Sequence, residues 1–228
     1  TPVPDRVSAR SARHRGPTAL VTSQGPAEHG DMTTCESTAL LIDTTMPTDD
    51  VTISEHIIVQ SDPATTFAAA RELDLLTVHS PLLDTAMWLR GLPARLSRTG
   101  VPAAAPRIVI GPDMGLPGWT FLGEQRDREV AFAAVGKFWQ PTIEWRDIAA
   151  ADFPGFREPG WGKIAANFSI LPYGAKATLL SYECRTVTTD PASRRRFLRY
   201  WWLIRPFVGH IMRATLRQIE ANARARRE

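Results

Sequence analysis

An α+β fold, a curved antiparallel sheet wrapped around one long C-terminal helix, is predicted by three features of this 228-residue sequence. The first is a period-two run at Val51–Gln60, where Ile53, Glu55, Ile57 and Val59 alternate with Ser54, His56, Ile58 and Gln60. The second is a series of short apolar or alternating runs between Arg107 and Thr188, separated by turn formers. Strands that follow one another over such short connections pair antiparallel. The third is an apolar stripe from Phe197 to Ile219 at spacings of three and four, which lets one helix lie against one sheet face.

The elements follow in order. Residues 1–50 are dominated by Thr, Ser, Pro, Ala and Gly and are expected to form a flexible N-terminal arm, with Ala39–Ile42 as its one apolar run. Met32 and Met46 precede the first patterned segment and offer alternative start positions. The folded domain is expected to span 51–228, beginning with the strand at Val51. Ser61 and Asp62 ahead of Pro63 predict a helix carrying Phe67, Ala70 and Leu73. Pro81, with Gly91 and Pro93 beyond, predicts a second helix over Ser80–Leu89 and a loop over Leu92–Ala105. Strands are expected at 107–110, 119–124, 129–139, 142–146, 163–171 and 177–188. Asp190-Pro191 with Ser193 starts the last helix, and Pro206 is expected to kink it.

Composition excludes several classes. Hydrophobic residues at 43% and charged residues at 22% are globular usage, and no run approaches the roughly 18 apolar residues of a membrane span. Cys35 and Cys184 have no Cys or His neighbour at metal-ligand spacing, so no metal and no cofactor is expected. The basic positions before residue 16 are not followed by the apolar core of a secretory signal; with the sparse cysteines this fits a cytoplasmic protein. Of the 27 basic residues only Lys137, Lys163 and Lys176 are lysine, a coding bias before it is a device. Ten arginines follow Pro191, against Glu220 and Glu228, so the C-terminal end is strongly basic.

Four segments carry a family resemblance: "AFAAVGKFWQP" (131–141), the stretch from Phe153 through "FREPGWGKIAANFSILPYG" to Gly174, "SYECRTVTTD" (181–190) and "RRRFLRYWWLIRPFVGHIMR" (194–213). In this order they resemble an actinobacterial branch of the START-like or SRPBCC helix-grip superfamily, often labelled polyketide cyclase/dehydrase and lipid transport. The resemblance covers about Val51 to Ala225. It implies a helix-grip fold with a cavity between sheet and C-terminal helix, and a hydrophobic ligand. No motif matches the iron ligands of the superfamily's oxygenase members, and the branch supplies no settled catalytic residues to carry over.

Five residues are candidates for contacting a ligand. Glu183 and Arg185 stand two apart on one strand and so share a face. Facing the cavity they make a polar floor; facing water they make an exposed ion pair. His79 borders the second predicted helix, while His56 and His210 read as ordinary hydrogen-bonded histidines. Trp139 and Trp202 stand out among many tryptophans: Trp201 fits the buried stripe, so Trp202 must point about 100° away.

Three functions remain open. The first is binding or carriage of a hydrophobic small molecule such as a lipid, polyketide or isoprenoid. The second is a polyketide cyclase/dehydratase-type enzyme in which a cavity acid/base pair moves protons. The third is a peripheral membrane or protein-interaction module using Arg194, Arg195, Arg196, Arg199, Trp202 and Arg205. Nucleic acid is not an expected partner, because no base-reading residues interleave the arginines.

Overall fold

The computed structural model describes residues 39–78 and 108–227. Its centre is a five-stranded antiparallel sheet of β1 (Val51–Val59), β2 (Trp119–Gln125), β3 (Glu129–Gly136), β4 (Gly162–Tyr173) and β5 (Ala177–Thr188), in the spatial order β1-β5-β4-β3-β2. Helix α1 spans Leu41–Thr45, α2 spans Pro63–Arg71 and α3 spans Pro191–Ala225. This is the expected α+β helix-grip arrangement. It places the first strand beside the last, so the C-terminal helix lies against both β1 and β5.

Local chemistry sets the helix starts. Asp62 accepts the Thr65 N–H at 2.9 Å with Pro63 in the first turn, and this bond, then the Thr65 hydroxyl, holds its carboxyl below the ordinary value. Asp190 repeats the device for α3, accepting the Ala192 and Ser193 N–H groups at 2.9 Å each. Its second oxygen takes the Ser193 hydroxyl at 2.6 Å and the Gly160 N–H at 2.7 Å, joining the helix start to the loop before β4. Helix α3 runs unbroken from Pro191 to Ala225 with Pro206 inside it.

Both faces of the sheet are covered. On the inner face Val59, Phe132, Phe168 and Leu180 pack with Leu216 and Ile219 of α3 and with Phe67 and Ala70 of α2. On the outer face Ala133, Val135 and Ala165 pack with Ile42 and Met46 from the N-terminal segment and with Phe153 and Trp161 from the β3–β4 connection. All eight residues of β3 are buried in consequence. Gly136 and Gly162 pair across β3 and β4 and seat the Phe138 ring, since a Cβ at Gly136 would lie 2.8 Å from it.

Several expectations need correction. The arm does not reach Asp50: Ile42 and Met46 are buried, and Asp50 accepts the Thr188 N–H at 2.8 Å, so the folded body includes residues from at least 40. A five-residue helix is too short to show a period, which hid it in a polar context. No strand forms at 142–146, where Trp145 makes one bridge to Gly136, nor at 108–110, where Val109 bridges Asp74 alone. β3 ends at Gly136, and Trp139 sits in the following turn. The second helix and the loop after it lie outside the described residues. The stripe of α3 is buried chiefly from Gly209 onward; Trp201 is half-buried, its ring 6.0 Å from that of the buried Phe197.

Candidate functional site

Between the inner sheet face and α3 lies a cavity of about 220 Å³. Trp119 of β2, Phe132 of β3 and Tyr182 of β5 form its sheet wall, and Ile211 and Thr215 its helix wall. Val78, Met114 and Leu116 close it from the connections on either side. The aromatic wall is a run of tilted rings: Trp119 and Phe132 centroids are 5.7 Å apart at 39°, Phe132 and Tyr182 6.4 Å at 48°. Phe168 supports Tyr182 at 4.6 Å and an interplanar angle of 58°.

Polar groups at this wall are few. Thr215 donates its hydroxyl to the Ile211 carbonyl at 2.9 Å within the helix, which spends its proton. Tyr182 makes no hydrogen bond among the described residues, and burial pushes its phenol above the ordinary value. It therefore stays neutral and retains an O–H to donate. Cys184 shares this face; burial first, then the charge on Glu183, pushes its thiol up to about 12. A thiol so held is a packing group and not a nucleophile. No carboxylate or imidazole stands among the described residues lining the cavity. No group of three or more His, Cys, Asp or Glu among the described residues could hold a metal ion.

The expected polar floor is elsewhere. Glu183 and Arg185 do share a face and do pair, Arg185 Nε donating to Glu183 Oε1 at 2.5 Å, but that face is the outer one. Arg185 also donates to Asp43 Oδ1 at 2.6 Å and to the Met46 carbonyl at 3.0 Å. The pair is a clasp on the C-terminal end of α1, neither a cavity floor nor a bare surface bridge. At its other end, Leu41 and Ile42 give their N–H groups to the fully buried Glu129 carboxylate, Ile42 at 3.1 Å. Asn167 Nδ2 donates to the same carboxylate at 2.6 Å.

The other candidates do not converge. His79 lies outside the described residues. Trp139 is in the turn after β3 and does not line the cavity. Trp202 is 82% exposed, as its offset from Trp201 requires. His56 faces outward, with Nδ1 2.7 Å from Ser181 Oγ, and His210 is half-buried on α3. Arg194 pairs with Asp50 at 2.8 Å, whereas Arg195, Arg196, Arg199 and Arg205 are exposed and make no ion pair among the described residues.

Sequence reasoning missed the cavity wall. Trp119, Phe132 and Tyr182 come from three strands and meet only through register, as in Phe132↔Ala166 and Phe168↔Tyr182. One signal was available: Tyr182 alternates with Glu183, so placing Glu183 on the outer face would have turned Tyr182 inward. Glu129 gave no sign of its role, because a carboxylate at the start of a strand reads as a turn flank.

No family model matches the chain, and no curated protein matches it. Among solved structures it is similar to a norcoclaurine synthase point mutant of Thalictrum flavum in complex with a transition state analogue, at 9% identity and a TM-score of 0.39, over 78% of this chain and 96% of that one. It is also similar to a protein from Arthrobacter aurescens, at 12% identity and a TM-score of 0.36 over 76% and 86% of the two chains. CalU16 from Micromonospora echinospora matches at 13% identity and a TM-score of 0.27 over 75% and 85%. Likenesses at this level assign no function; the fold rests on the strand order and the helix described above.

Proposed function

We propose that this chain binds a hydrophobic small molecule in the cavity between the sheet and α3, with the Tyr182 hydroxyl donating to a carbonyl or hydroxyl of the ligand. The observation that carries this reading is an apolar, aromatic wall with one free phenol, the usual composition of a small-molecule site. An acid/base mechanism would need a cavity carboxylate or imidazole; the described lining offers neither, so a binder is favoured over a cyclase or dehydratase. At about 220 Å³ the space suits a small ligand or one part of a larger one. The test is native mass spectrometry of the full chain, with a fluorescent apolar probe displaced by any compound that co-purifies. Ile211→Trp, which fills the space from the helix side, should abolish probe binding, and Tyr182→Phe should weaken displacement about ten-fold, one lost hydrogen bond to a buried group. Unchanged probe affinity in Ile211→Trp would refute the site.

A second reading has its own observation. Trp202 and Leu203 are largely exposed beside Leu198 and Phe207, on the helix segment carrying the four arginines that make no ion pair among the described residues. Aromatic and aliphatic side chains among arginines suit the surface of an anionic bilayer. Salt-sensitive binding to anionic but not neutral vesicles, lost in Trp202→Ser, is the expected result.

A further inference from the structure

We infer that a recess on the outer side of the sheet, around Lys163, is a binding site for a small organic carboxylate. The recess has a volume of about 180 Å³ and is separate from the apolar cavity, so it stands independently of the function proposed for that cavity. Residues 45–48 after α1 and the loop at 154–157 bound it, with Val187, Thr188 and Thr189 of the β5 end forming the remaining side.

Lys163 is 4% exposed, yet its ammonium has only a 3.2 Å bond to the Pro154 carbonyl and the face of Phe153, 4.7 Å from the ring centroid. An ammonium carries three donors. No carboxylate pairs with it among the described residues, whereas Lys137 has Glu144 at 2.8 Å and Arg185 has two carboxylates. Arg157 lines the same recess and adds a second positive charge. Its bonds to the Pro154 and Phe156 carbonyls, 2.6 and 2.8 Å, both leave from one guanidinium nitrogen, so the rest of the fork is unused among the described residues. Burial, and then Arg157, lowers the Lys163 pKa to about 8, so near neutral pH the recess holds two cations and no counter-charge.

Burying a charge without a partner is expensive, and an anion seated between the two cations offsets that cost. The apolar part of the lining favours an organic carboxylate over a phosphate dianion. Thr188 and Thr189 spend their hydroxyl protons on Asp50 and on the Trp161 carbonyl, the ammonium and one guanidinium edge match the two oxygens of a carboxylate, and Thr45 and Thr48 on the opposite side add hydroxyls. Met46, Phe156 and Val187 beside them suit a short hydrocarbon chain. A lysine suits such a site better than the arginine that dominates this chain: an empty site can shed the charge of a lysine, and arginine cannot be neutralised.

The experiment is scanning calorimetry of the full chain in sodium propanoate against sodium chloride at equal ionic strength, with sodium phosphate as a third arm. Wild-type protein should melt higher in propanoate, with a rise that grows with the logarithm of its concentration. Arg157→Gln, at an exposed position, should weaken the apparent affinity about ten-fold, and Lys163→Met should remove the response. If Lys163→Met fails to fold, acetylation of the three lysines read by mass spectrometry replaces it: propanoate should slow Lys163 about ten-fold at pH 7, by raising its pKa, and leave Lys137 and Lys176 unchanged. The proposal is overturned by no response to propanoate, by equal responses in wild type and Arg157→Gln, or by a response to phosphate alone.

Discussion

Replacing Glu129 by alanine should loosen the N-terminal segment and cost several kcal/mol, although the residue lies far from the cavity. The carboxylate is fully buried and accepts three donors, the N–H groups of Leu41 and Ile42 and the Asn167 amide. Two of these bonds, from Ile42 and Asn167, lie wholly inside, so their donors would be stranded. At about 1–3 kcal/mol for each unsatisfied buried donor, the loss is about 2–6 kcal/mol. The Leu41 N–H is only partly buried and recovers a bond to water, so it adds little. Urea unfolding at neutral pH, compared at constant m-value, measures the loss. The same substitution in a chain starting at Asp49 isolates the cause. There the two backbone donors are gone, the carboxylate is left with Asn167, and alanine should cost less or even stabilise. A loss below about 1 kcal/mol in the full chain, or equal losses in both backgrounds, would refute the anchoring role of Glu129.

Arg185→Met should destabilise by about 1–3 kcal/mol, and adding Glu183→Gln should restore only part of it, because Asp43 and the Met46 carbonyl also lose their donor; full recovery in urea unfolding would contradict the clasp. Asp190 is held near pKa 2 by the Ser193 hydroxyl, then by the N–H groups of Ser193 and Gly160. A lowered carboxylate pKa contributes stability that is complete above the ordinary value of 3.8 and is lost as pH falls from there toward 2. Asp190→Asn keeps a cap, so acid melts should show a shallower fall for the variant across that window, and parallel curves would count against it. Phe197→Ala should cost about 3–5 kcal/mol, since the ring is buried. Trp202→Ser should stay within about 0.5 kcal/mol of wild type in the same measurement.

The elements that read correctly from the sequence are those whose signal is periodic or local. The alternation in β1, the stripe of α3 and the two Asp-to-Pro helix starts needed no partner to be recognised. What stayed hidden depends on which face is covered by what. Alternation puts Glu183 with Arg185 and Tyr182 with Cys184, but the choice of inner face is made by packing against α3. Here the outer face is covered too, by a segment whose composition resembles a tail and whose buried contacts are chiefly Ile42 and Met46. With cover on both sides, a polar pair beneath it looks the same in sequence as one lining a cavity. The cavity wall was hidden for a related reason: its residues lie on three separate strands and each reads as core filling.

The double covering of the sheet also has a mechanical side. β3 and β4 occupy the middle of the sheet, and the segment clasped by Glu129 and Arg185 backs them on the side away from α3. Strands braced from behind in this way should resist bowing outward, so the sheet wall of the cavity is expected to hold its shape. Any change in the volume of the cavity then falls to α3 and to the connections that carry Val78, Met114 and Leu116. That helix is tethered along its length by Arg194 to Asp50, Arg213 to Glu55 and Arg226 to Glu72, each through an arginine that reaches solvent, and the pair to Glu72 is the one open to water on both sides. Raised salt should therefore loosen the hold on α3, beginning at its Glu72 end, before it affects the sheet.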